Sequence, residues 1–410
     1  MKDETNVWGN RLEAELKANI LDFWMKHTPD DTYGGFIGEM DNQMKVIPGA
    51  GKSLVLNARI LWTFASAYRI YHAAEYLATA ERAYDYLIQH FTDREFGGFF
   101  WMVDEHGRPA ETKKQIYGLA FTVYALAEFH HATGREDSLK QAADLFHLIE
   151  QYGYDPIHQG YIEALSREWE MTEALCLSSK DMNEKKSMNT HLHVLEGYTG
   201  LYRVWKSEVL RNKLAELIET MLDHILDADG RHFHLFMDEA WRVKSAHISF
   251  GHDIEGSWLL YEAAEVLGDT ALLERTRKVA LSMAEAVLAE GTEPDGGIWN
   301  EADLNGFIDK AHETRDWWPQ AEAMVGFYNA YQLTGNLRFL QAAENSWSFI
   351  DNYIIDHKLG EWYWGVDASL QPLASAPKVS AWKCPYHNGR ACFEMIRRLG
   401  ESSHVEETIQ

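Results

Sequence analysis

The chain has 410 residues and a formal net charge of −25, which argues against phosphate backbones and anionic membranes as partners. Apolar residues make up 46% of it and only 9 residues are proline, which excludes a disordered chain and is typical of a well-packed, helix-rich protein. The three cysteines, Cys176, Cys384 and Cys392, provide no disulfide framework and favour a reducing compartment.

The N-terminal segment lacks the apolar core of a signal peptide, and no run approaches the ~18–20 apolar residues of a membrane span. We therefore expect a cytoplasmic protein that binds neither nucleic acid nor membrane. The 15 tryptophans can fill a large core, but they also suit a sugar-binding cleft, because flat aromatic faces cover the apolar faces of a pyranose.

A short motif of acidic, glycine and aromatic residues recurs six times along the chain. Its glycines lie 62 to 70 residues apart, a period typical of repeated supersecondary units. Alternating polar and apolar residues follow each copy, which predicts a short β-hairpin. The copies occupy residues 30–36, 93–99, 155–161, 227–233, 294–299 and 356–362.

Between successive hairpins there is room for two helices of about 15–20 residues. Two apolar stripes are clear after the first hairpin, one from Leu56 to Tyr68 and one from Tyr76 to Leu87. Later pairs are predicted to begin near residues 113, 188, 250, 316 and 386, with an N-terminal helix near residues 10–27 as the final partner.

Six helical hairpins that close on themselves form an (α/α)6 barrel, whereas an open solenoid would share the same period. The copies lack a recognisable polar cap, and no Ser-, Gly- or Pro-rich linker interrupts them. We therefore predict an all-α fold, a closed (α/α)6 barrel with short β-hairpins on one face, as a single domain over residues 1–410.

Unusual polar and aromatic residues lie roughly 20 to 30 residues beyond the glycine of each copy. Equivalent positions in a closed repeat share one rim, so these six clusters are expected to surround a single pocket. The clusters are Asn57–Arg59, Tyr117, Asn189–His193, His252–Glu255, Trp317–Gln320 and Tyr386–Arg390.

Helix-start signals place these clusters at the N-terminal ends of the inner helices. Thr112 and Gln115 match a capping box, which predicts that Tyr117 lies early in its helix. Pro319 and Pro385 are tolerated in a first helical turn. The positive dipole ends of the helices then face the pocket and favour a negatively charged intermediate.

Neighbouring candidates cannot all face the pocket. His191 and His193 are two residues apart, so on a helix they diverge by about 200° and only one can point inward. Trp317 and Trp318 also diverge, so one of them is expected to pack in the wall. Arg59 suits either the pocket or a buried salt bridge.

Two other kinds of site suit this composition. Three histidines could assemble a zinc site in space, although the chain has no His-Glu-x-x-His motif and no paired cysteines. A glycoside hydrolase needs only two well-spaced carboxylates, which Asp181, Glu255 and Glu301 could supply. A sugar-binding protein without activity would also use an aromatic rim, but it would not need a ring of histidines.

Four segments resemble one family. The segments SMNTHLHVLE (187–196), SFGHDIE (249–255), WWPQAE (317–322) and YHNGRAC (386–392) resemble the cellobiose 2-epimerases. These enzymes belong to the wider N-acylglucosamine 2-epimerase superfamily of (α/α)6 barrels. The resemblance extends over nearly the whole chain.

The resemblance implies an enzyme without cofactor or metal that inverts C2 of the reducing-end glucose of β-1,4-linked disaccharides such as cellobiose and lactose. It implies that His252 and His387 are the principal acid/base pair and that His193 assists. It also implies a set of sugar-binding residues, namely Arg59, Tyr117, Asn189, Glu255, Trp318, Trp382, Asp181 and Glu301.

This chemistry suits the side chains. The C2–H of a sugar is acidic only when C1 is a carbonyl, so the ring must first open. Histidine both takes and gives protons near neutrality, so one imidazole could remove the C2 proton and another return one to the opposite face. Arg59 and the helix N-termini could stabilise the cis-enediol(ate) formed between these steps, and Glu255 could tune His252 or bind a hydroxyl.

Several alternatives stay open. A mannose or N-acylglucosamine 2-epimerase, or an aldose–ketose isomerase of the same superfamily, is the nearest one, and a glycoside hydrolase on the same barrel is more distant. We expect a small-molecule sugar as the partner and a monomer or weak homo-oligomer as the quaternary state.

Overall fold

The computed structural model describes residues 2–178 and 181–408, with the side chains of residues 7–178 and 181–401. It is built from helices with very short strands between them. The helices are α1 (Lys2–Ala14), α2 (Asp22–His27), α3 (Leu54–Tyr71), α4 (Ala74–Tyr86), α5 (Ile116–Thr133), α6 (Glu136–Leu148), α7 (Met188–Val204), α8 (Glu208–Thr220), α9 (Phe250–Leu267), α10 (Thr270–Ala286), α11 (Trp317–Thr334), α12 (Leu337–Phe349) and α13 (Tyr386–Thr408).

Six of these helices form a closed inner ring. Helices α3, α5, α7, α9, α11 and α13 each pack on the next, and α13 packs back on α3. In α3 every residue from Leu54 to Ala67 is buried, as expected for a helix covered on all sides. The contact of α13 with α3 excludes an open solenoid and confirms the closed (α/α)6 barrel.

An outer helix follows each inner helix and covers it. Helices α4, α6, α8, α10 and α12 pack on the inner helix of their own repeat. The N-terminal helix α1, which continues through a π-helical turn at Glu15–Leu21 into α2, packs on α13 and supplies the sixth outer element as predicted. It begins at Lys2, earlier than the sequence indicated. Within the described residues, every helix is too short or too polar to traverse a bilayer.

The strands form antiparallel pairs on the face where the inner helices begin. Each strand that precedes an inner helix pairs with a strand of the next repeat. The strands are β1 (Lys52–Ser53), β2 (Met102–Val103), β3 (Pro109–Glu111), β4 (Lys114–Gln115), β5 (Ala164–Leu165), β6 (Lys186–Ser187), β7 (Phe236–Met237), β8 (His247–Ser249), β9 (Glu301–Asp303), β10 (Arg315–Asp316) and β11 (Gly365–Val366).

The same pairing closes the ring a second time. Val379, just before α13, forms an antiparallel bridge with Met40 of the first repeat. The Met40 backbone N–H donates to the Val379 carbonyl at 2.9 Å, and the Lys378 N–H donates to the Met40 carbonyl at 2.8 Å. Residues near opposite ends of the chain are therefore joined in the way that neighbouring repeats are joined elsewhere.

A buried cation holds the acidic residue of most repeats. Lys114 Nζ lies 2.8 Å from Asp93 Oδ2, and both side chains are fully buried. Burial opposes ionisation of Asp93, but the Arg167 and Lys114 hydrogen bonds outweigh it and lower the pKa of this carboxyl. In these repeats the motif aspartate therefore fixes the hairpin to the segment that precedes the inner helix. Equivalent pairs are Lys52–Asp30, Lys186–Asp155, Arg315–Asp295 and Lys378–Asp356.

One local prediction was wrong. Helix α5 begins after Gln115, which makes no side-chain capping hydrogen bond, so Thr112 and Gln115 do not form a capping box. These residues instead lie beside and within β4, where pairing with β5 satisfies the backbone. Tyr117 is nevertheless the second residue of α5, as expected.

Candidate active site

Two kinds of position alternate at the beginning of the inner helices. The fourth residue of a helix contacts the neighbouring hairpin, and the sixth residue points to the barrel axis. His191 and His193 occupy these two positions in α7. The divergence of about 200° between residues two apart on a helix separates the two sets.

The fourth-position residues attach the inner helices to the hairpins. His191 accepts a hydrogen bond at Nε2 from the Tyr161 backbone N–H, at 2.8 Å, and donates from Nδ1 to the Ser187 carbonyl, at 2.7 Å. Gln320 accepts from the Ile298 N–H and donates to its carbonyl, both at 2.8 Å. Asp253 is a further member, because it accepts from the Phe233 N–H. Asn57, at the same position of α3, instead donates to the carbonyl of Ser53, the N-cap residue of its own helix.

The sixth-position residues are charged or titratable in all but one repeat, and they form the floor of the pocket. In α5 this position is Phe121, which packs on His193 at 4.6 Å between ring centroids. All of them are buried. The others are Arg59, His193, Glu255 and Glu322, with Arg390 equivalent to them in α13.

Three imidazoles meet in this pocket, and each has its Nδ1 held by a side chain. His387 donates from Nδ1 to Glu322 Oε1 at 2.7 Å, and His193 donates from Nδ1 to Glu196 Oε2 at 2.9 Å. A carboxylate only accepts, so in the neutral form of either ring the proton lies on Nδ1 and Nε2 is the acceptor. His252 differs, because its Nδ1 lies 2.8 Å from the hydroxyl of Ser249.

Trp318 brings His252 and His387 to one place. Its ring centroid lies 4.7 Å from that of His252 and 5.6 Å from that of His387. Gly251 allows this approach, since a Cβ there would lie 2.5 Å from Trp318 Cη2. Trp317 packs on Trp364 in the wall, at 4.8 Å, as the divergence of the two tryptophans predicted, and its ring lies 6.5 Å from that of His387.

Arg390 is the centre of the charge network below the imidazoles. Its guanidinium donates to Glu255 at 2.6 Å, to Glu322 at 2.7 Å and, in a short contact, to Glu196. The Tyr386 hydroxyl donates to the same Glu196 oxygen. One cation thus compensates three buried carboxylates on three different helices.

Sequence reasoning gave no role to Glu196, Glu322 or Arg390, although all three lie in or beside the segments that carry the resemblance. A signal for two of them was present. Glu322 and Arg390 each lie two residues after a residue that contacts the hairpins, Gln320 and Asn388, which is the spacing that separates His193 from His191.

The surroundings lower the pKa values of His252 and His387. Burial, and then the charge of His193, lower the pKa of His252 to about 3. Burial followed by Arg59 and Arg390 holds the pKa of His387 well below its usual range. Both imidazoles are therefore unprotonated at neutral pH and available as bases.

The carboxylates respond differently to the same network. Burial, and then neighbouring Glu322, raise the pKa of Glu255 to about 7, although Arg390 opposes this. Burial also acts on Glu196, but the charge of Arg390 and the contact with His193 outweigh it and lower its pKa to about 2. Glu196 is thus the ionised partner of the Arg390 guanidinium.

Arg59 lies in the pocket without an acidic partner among the described residues. It donates to the Tyr117 hydroxyl at 2.9 Å, and its guanidinium carbon lies 4.2 Å from the Phe121 ring centroid. The alternative of a buried salt bridge is therefore wrong. A cation held by aromatic rings is suited to bind an oxyanion that develops in the pocket.

An open cleft of about 520 Å³ adjoins this pocket. Trp382 connects the two, because it lines the cleft and its ring lies 5.9 Å from that of Tyr117. Asp181 also lines the cleft, where its Oδ2 accepts from the backbone N–H and hydroxyl of Ser178, both at 2.7 Å.

Two more residues of the predicted set lie near the beginning of α7 and on β9. Asn189 is half-buried near the beginning of α7, and its Oδ1 has no hydrogen-bond partner in the described part of the chain. Glu301 is exposed on β9, where it faces His247 at 3.8 Å. Glu255, expected beside His252, instead binds Arg390 and lies 3.9 Å from His387 Nδ1.

Glu255, Glu322 and His387 have ligand atoms within 4.8 Å of one another, which is close enough for a metal ion. The guanidinium of Arg390, however, donates to Oε1 of both carboxylates, and His387 donates to the same oxygen of Glu322. A cation is thus already present between the carboxylates, and this donor set forms an ion-pair network.

Comparisons with known proteins agree with this architecture. A model of the N-acylglucosamine 2-epimerase (GlcNAc 2-epimerase) family matches residues 35–391. The cellobiose 2-epimerase of Bacteroides fragilis is 45% identical over 386 residues, with 94% of this chain and 97% of that protein covered. The cellobiose 2-epimerase of Dictyoglomus turgidum is 37% identical, with 97% and 100% covered.

A solved structure shows the same likeness in three dimensions. The cellobiose 2-epimerase from Bacillus thermoamylovorans superposes with a TM-score of 0.90 at 39% identity, over 96% of this chain and 100% of that one. The matches cover the inner helices that carry the imidazoles as well as the outer ring. The chain belongs to the N-acylglucosamine 2-epimerase family.

Proposed function

We propose that this protein is a cellobiose 2-epimerase, which reversibly inverts C2 of the reducing-end glucose of a β-1,4-linked disaccharide. One observation carries the proposal: the His252 and His387 rings contact the same Trp318 ring, and each has its Nδ1 held by a neighbouring side chain. Two imidazoles held in this way can act on opposite faces of one carbon.

The reaction begins with the open-chain sugar, in which the C1 carbonyl makes the C2–H acidic. The Nε2 of one imidazole accepts the C2 proton, the electron pair of the C–H bond forms the C1–C2 double bond, and the π pair of the carbonyl moves to the C1 oxygen to give a cis-enediolate. The other histidine, which has taken a proton from water, returns that proton to C2 from the opposite face, and the carbonyl re-forms at C1. We assign these two roles to His252 and His387, with His193 assisting.

Arg59 is placed to stabilise the enediolate. It carries a permanent charge, lies between aromatic rings and donates to Tyr117, so a second donor direction is available to a sugar oxygen. The helix N-termini around the pocket contribute in the same sense. Glu255, in the floor of the pocket, and Asn189, near the beginning of α7, are proposed to bind sugar hydroxyls, since carboxylate and amide groups recognise them by hydrogen bonding.

The cleft beside Trp382 favours a disaccharide over a single sugar. We propose that the reducing-end ring packs on Trp318 and that the second ring extends past Trp382 into the cleft near Asp181. Glu301 is proposed to contact the substrate from the rim. A mannose or N-acylglucosamine 2-epimerase would not need the additional volume.

Further features of the proposal concern the molecule as a whole. We propose one catalytic domain that acts without metal or organic cofactor, because Arg390 already compensates the carboxylates of the pocket. The acidic surface and three free cysteines support a cytoplasmic protein. The quaternary state is proposed to be a monomer or a weak homo-oligomer.

Incubation with cellobiose in deuterated water tests the function. We expect 4-O-β-glucosyl-mannose with deuterium at C2. Free glucose would indicate a glycoside hydrolase, and C2 exchange in mannose or N-acetylglucosamine with none in cellobiose would indicate a sibling epimerase. Formation of a ketose would show that the enediolate is also protonated at C1.

A further inference from the structure

The contact between Ser249 and His252 has no counterpart at the other two imidazoles. His193 and His387 are each held by a carboxylate, whereas His252 is held by a hydroxyl. Ser249 is 2% exposed, so this hydroxyl does not belong to the solvated surface.

Ser249 forms this contact instead of capping its helix. It is the N-cap residue of α9, but its side chain accepts no backbone N–H. At the equivalent position of α7, Ser187 caps the helix by accepting from the Thr190 N–H, and Ser53 does the same for α3 with the Leu56 N–H. An N-cap hydrogen bond typically contributes about 1 kcal/mol, so α9 forgoes a stabilising contact that α3 and α7 keep.

The contact also restrains the rotation of the His252 ring. Trp318 covers one side of that ring, and Gly251 allows the tryptophan to approach so closely. Trp318 alone would restrain the tilt of the imidazole but not which nitrogen faces the pocket. The Ser249 hydroxyl decides this, because it binds Nδ1 and leaves Nε2 for the substrate.

We propose that Ser249 is a positioning residue of the C2 epimerisation, which holds His252 so that its Nε2 faces C2 of the sugar. The proposal rests on the proposed function, since it assigns His252 to one face of C2 and His387 to the other. Ser249 acts through His252 and does not touch the substrate.

Deletion of the Ser249 hydroxyl is expected to slow proton transfer on one face of C2 only. In Ser249→Ala, His387 still removes and returns a proton on its own face, while transfer on the His252 face becomes slow. We expect kcat to fall by about tenfold to a hundredfold, the effect of misplacing a catalytic group, with KM little changed.

The decisive measurement is made in deuterated water and is a ratio of two amounts. The amount of unconverted starting sugar that carries deuterium at C2 is divided by the amount of epimer formed. The reaction is started from cellobiose and, separately, from 4-O-β-glucosyl-mannose. For Ser249→Ala, the ratio is expected to rise for the epimer whose C2–H faces His387 and not for the other. A general loss of structure would slow both processes and leave the ratio unchanged.

Two further variants complete the experiment. Ser249→Thr keeps the hydroxyl and is expected to restore most of kcat and the wild-type ratio. Ser207→Ala removes an N-cap from the outer helix α8, where Ser207 accepts from the Leu210 N–H, and it is expected to lower stability without changing the ratio.

The outcomes separate the two proposals. A wild-type protein that labels no sugar at C2 contradicts the proposed function itself. If the wild-type protein is an epimerase but Ser249→Ala keeps kcat and the ratio, only the role of Ser249 is overturned. The same holds if the alanine and threonine variants behave alike. An alanine variant that fails to fold also overturns it, because the hydroxyl would then support the fold and not the imidazole.

Discussion

His191 and His193 lie two residues apart on one helix and serve opposite sides of it. His191 is fully buried against the hairpin and binds the Tyr161 and Ser187 backbones through its two ring nitrogens. His193 faces the barrel axis, where its Nδ1 binds Glu196 and its ring packs on Tyr117. One histidine thus holds the helix in place, and the other belongs to the pocket.

This division gives a matched pair of variants. His193→Asn is expected to lower kcat at least tenfold, because it removes an imidazole from the acid/base group, and to change the unfolding midpoint little. His191→Asn is expected to lower the free energy of unfolding by about 1–3 kcal/mol, since buried backbone groups lose a partner, while the folded protein stays active. Denaturant unfolding and epimerisation rates of both variants check this, and reversed effects would contradict the assignment.

Arg390 is expected to be a large contributor to stability. Replacement by methionine leaves Glu196, Glu255 and Glu322 buried without their cation, and breaking a buried ion pair from one side costs about 3–5 kcal/mol. Arg338→Met is the control, because its pair with Glu285 is exposed and an exposed pair contributes about 1 kcal/mol or less. Equal changes in the free energy of unfolding would show that the network is not the stabilising unit.

Gly251 is expected to matter through Trp318. In Gly251→Ala, the new Cβ would overlap the indole, so the ring must move away from His252 and His387. We expect kcat/KM for cellobiose to fall about tenfold or more, because the reacting groups lose their alignment. Gly400→Ala is the control, since a Cβ there meets no atom within 4 Å and alanine favours the helix. If both variants keep wild-type kcat/KM, Trp318 does not need this close contact.

The pH profile is expected to reflect the buried imidazoles. Burial, reinforced by nearby positive charge, lowers the pKa of both His252 and His387, and for His252 the value falls from 6.5 to about 3. As the pH falls through 6.5, both rings therefore stay unprotonated and able to accept the C2 proton. The acid limb of kcat/KM should lie below 6.5, and activity should be lost only as the pH falls through the lowered values. An acid limb at or above the ordinary histidine value would contradict this.

The architecture could be predicted from the sequence because its signals are local and repeated. A motif of glycine and aromatic residues that is repeated six times indicated the hairpins. Apolar stripes with helical spacing indicated the inner and outer helices. The same periodicity showed that His191 and His193, and likewise Trp317 and Trp318, must point apart. The resemblance carried by four short segments predicted His252 and His387 as the acid/base pair.

Other features depended on how the helices pack. Which member of each diverging pair faces the axis is set by the rotation of each helix in the ring, and no single segment specifies it. The contact of Arg390 with Glu196 spans 194 positions, and the bridge between Met40 and Val379 closes the ring across the two ends of the chain. Local sequence determined the elements and their order, whereas tertiary packing decided which charges meet, because six helix ends converge only once the barrel has closed.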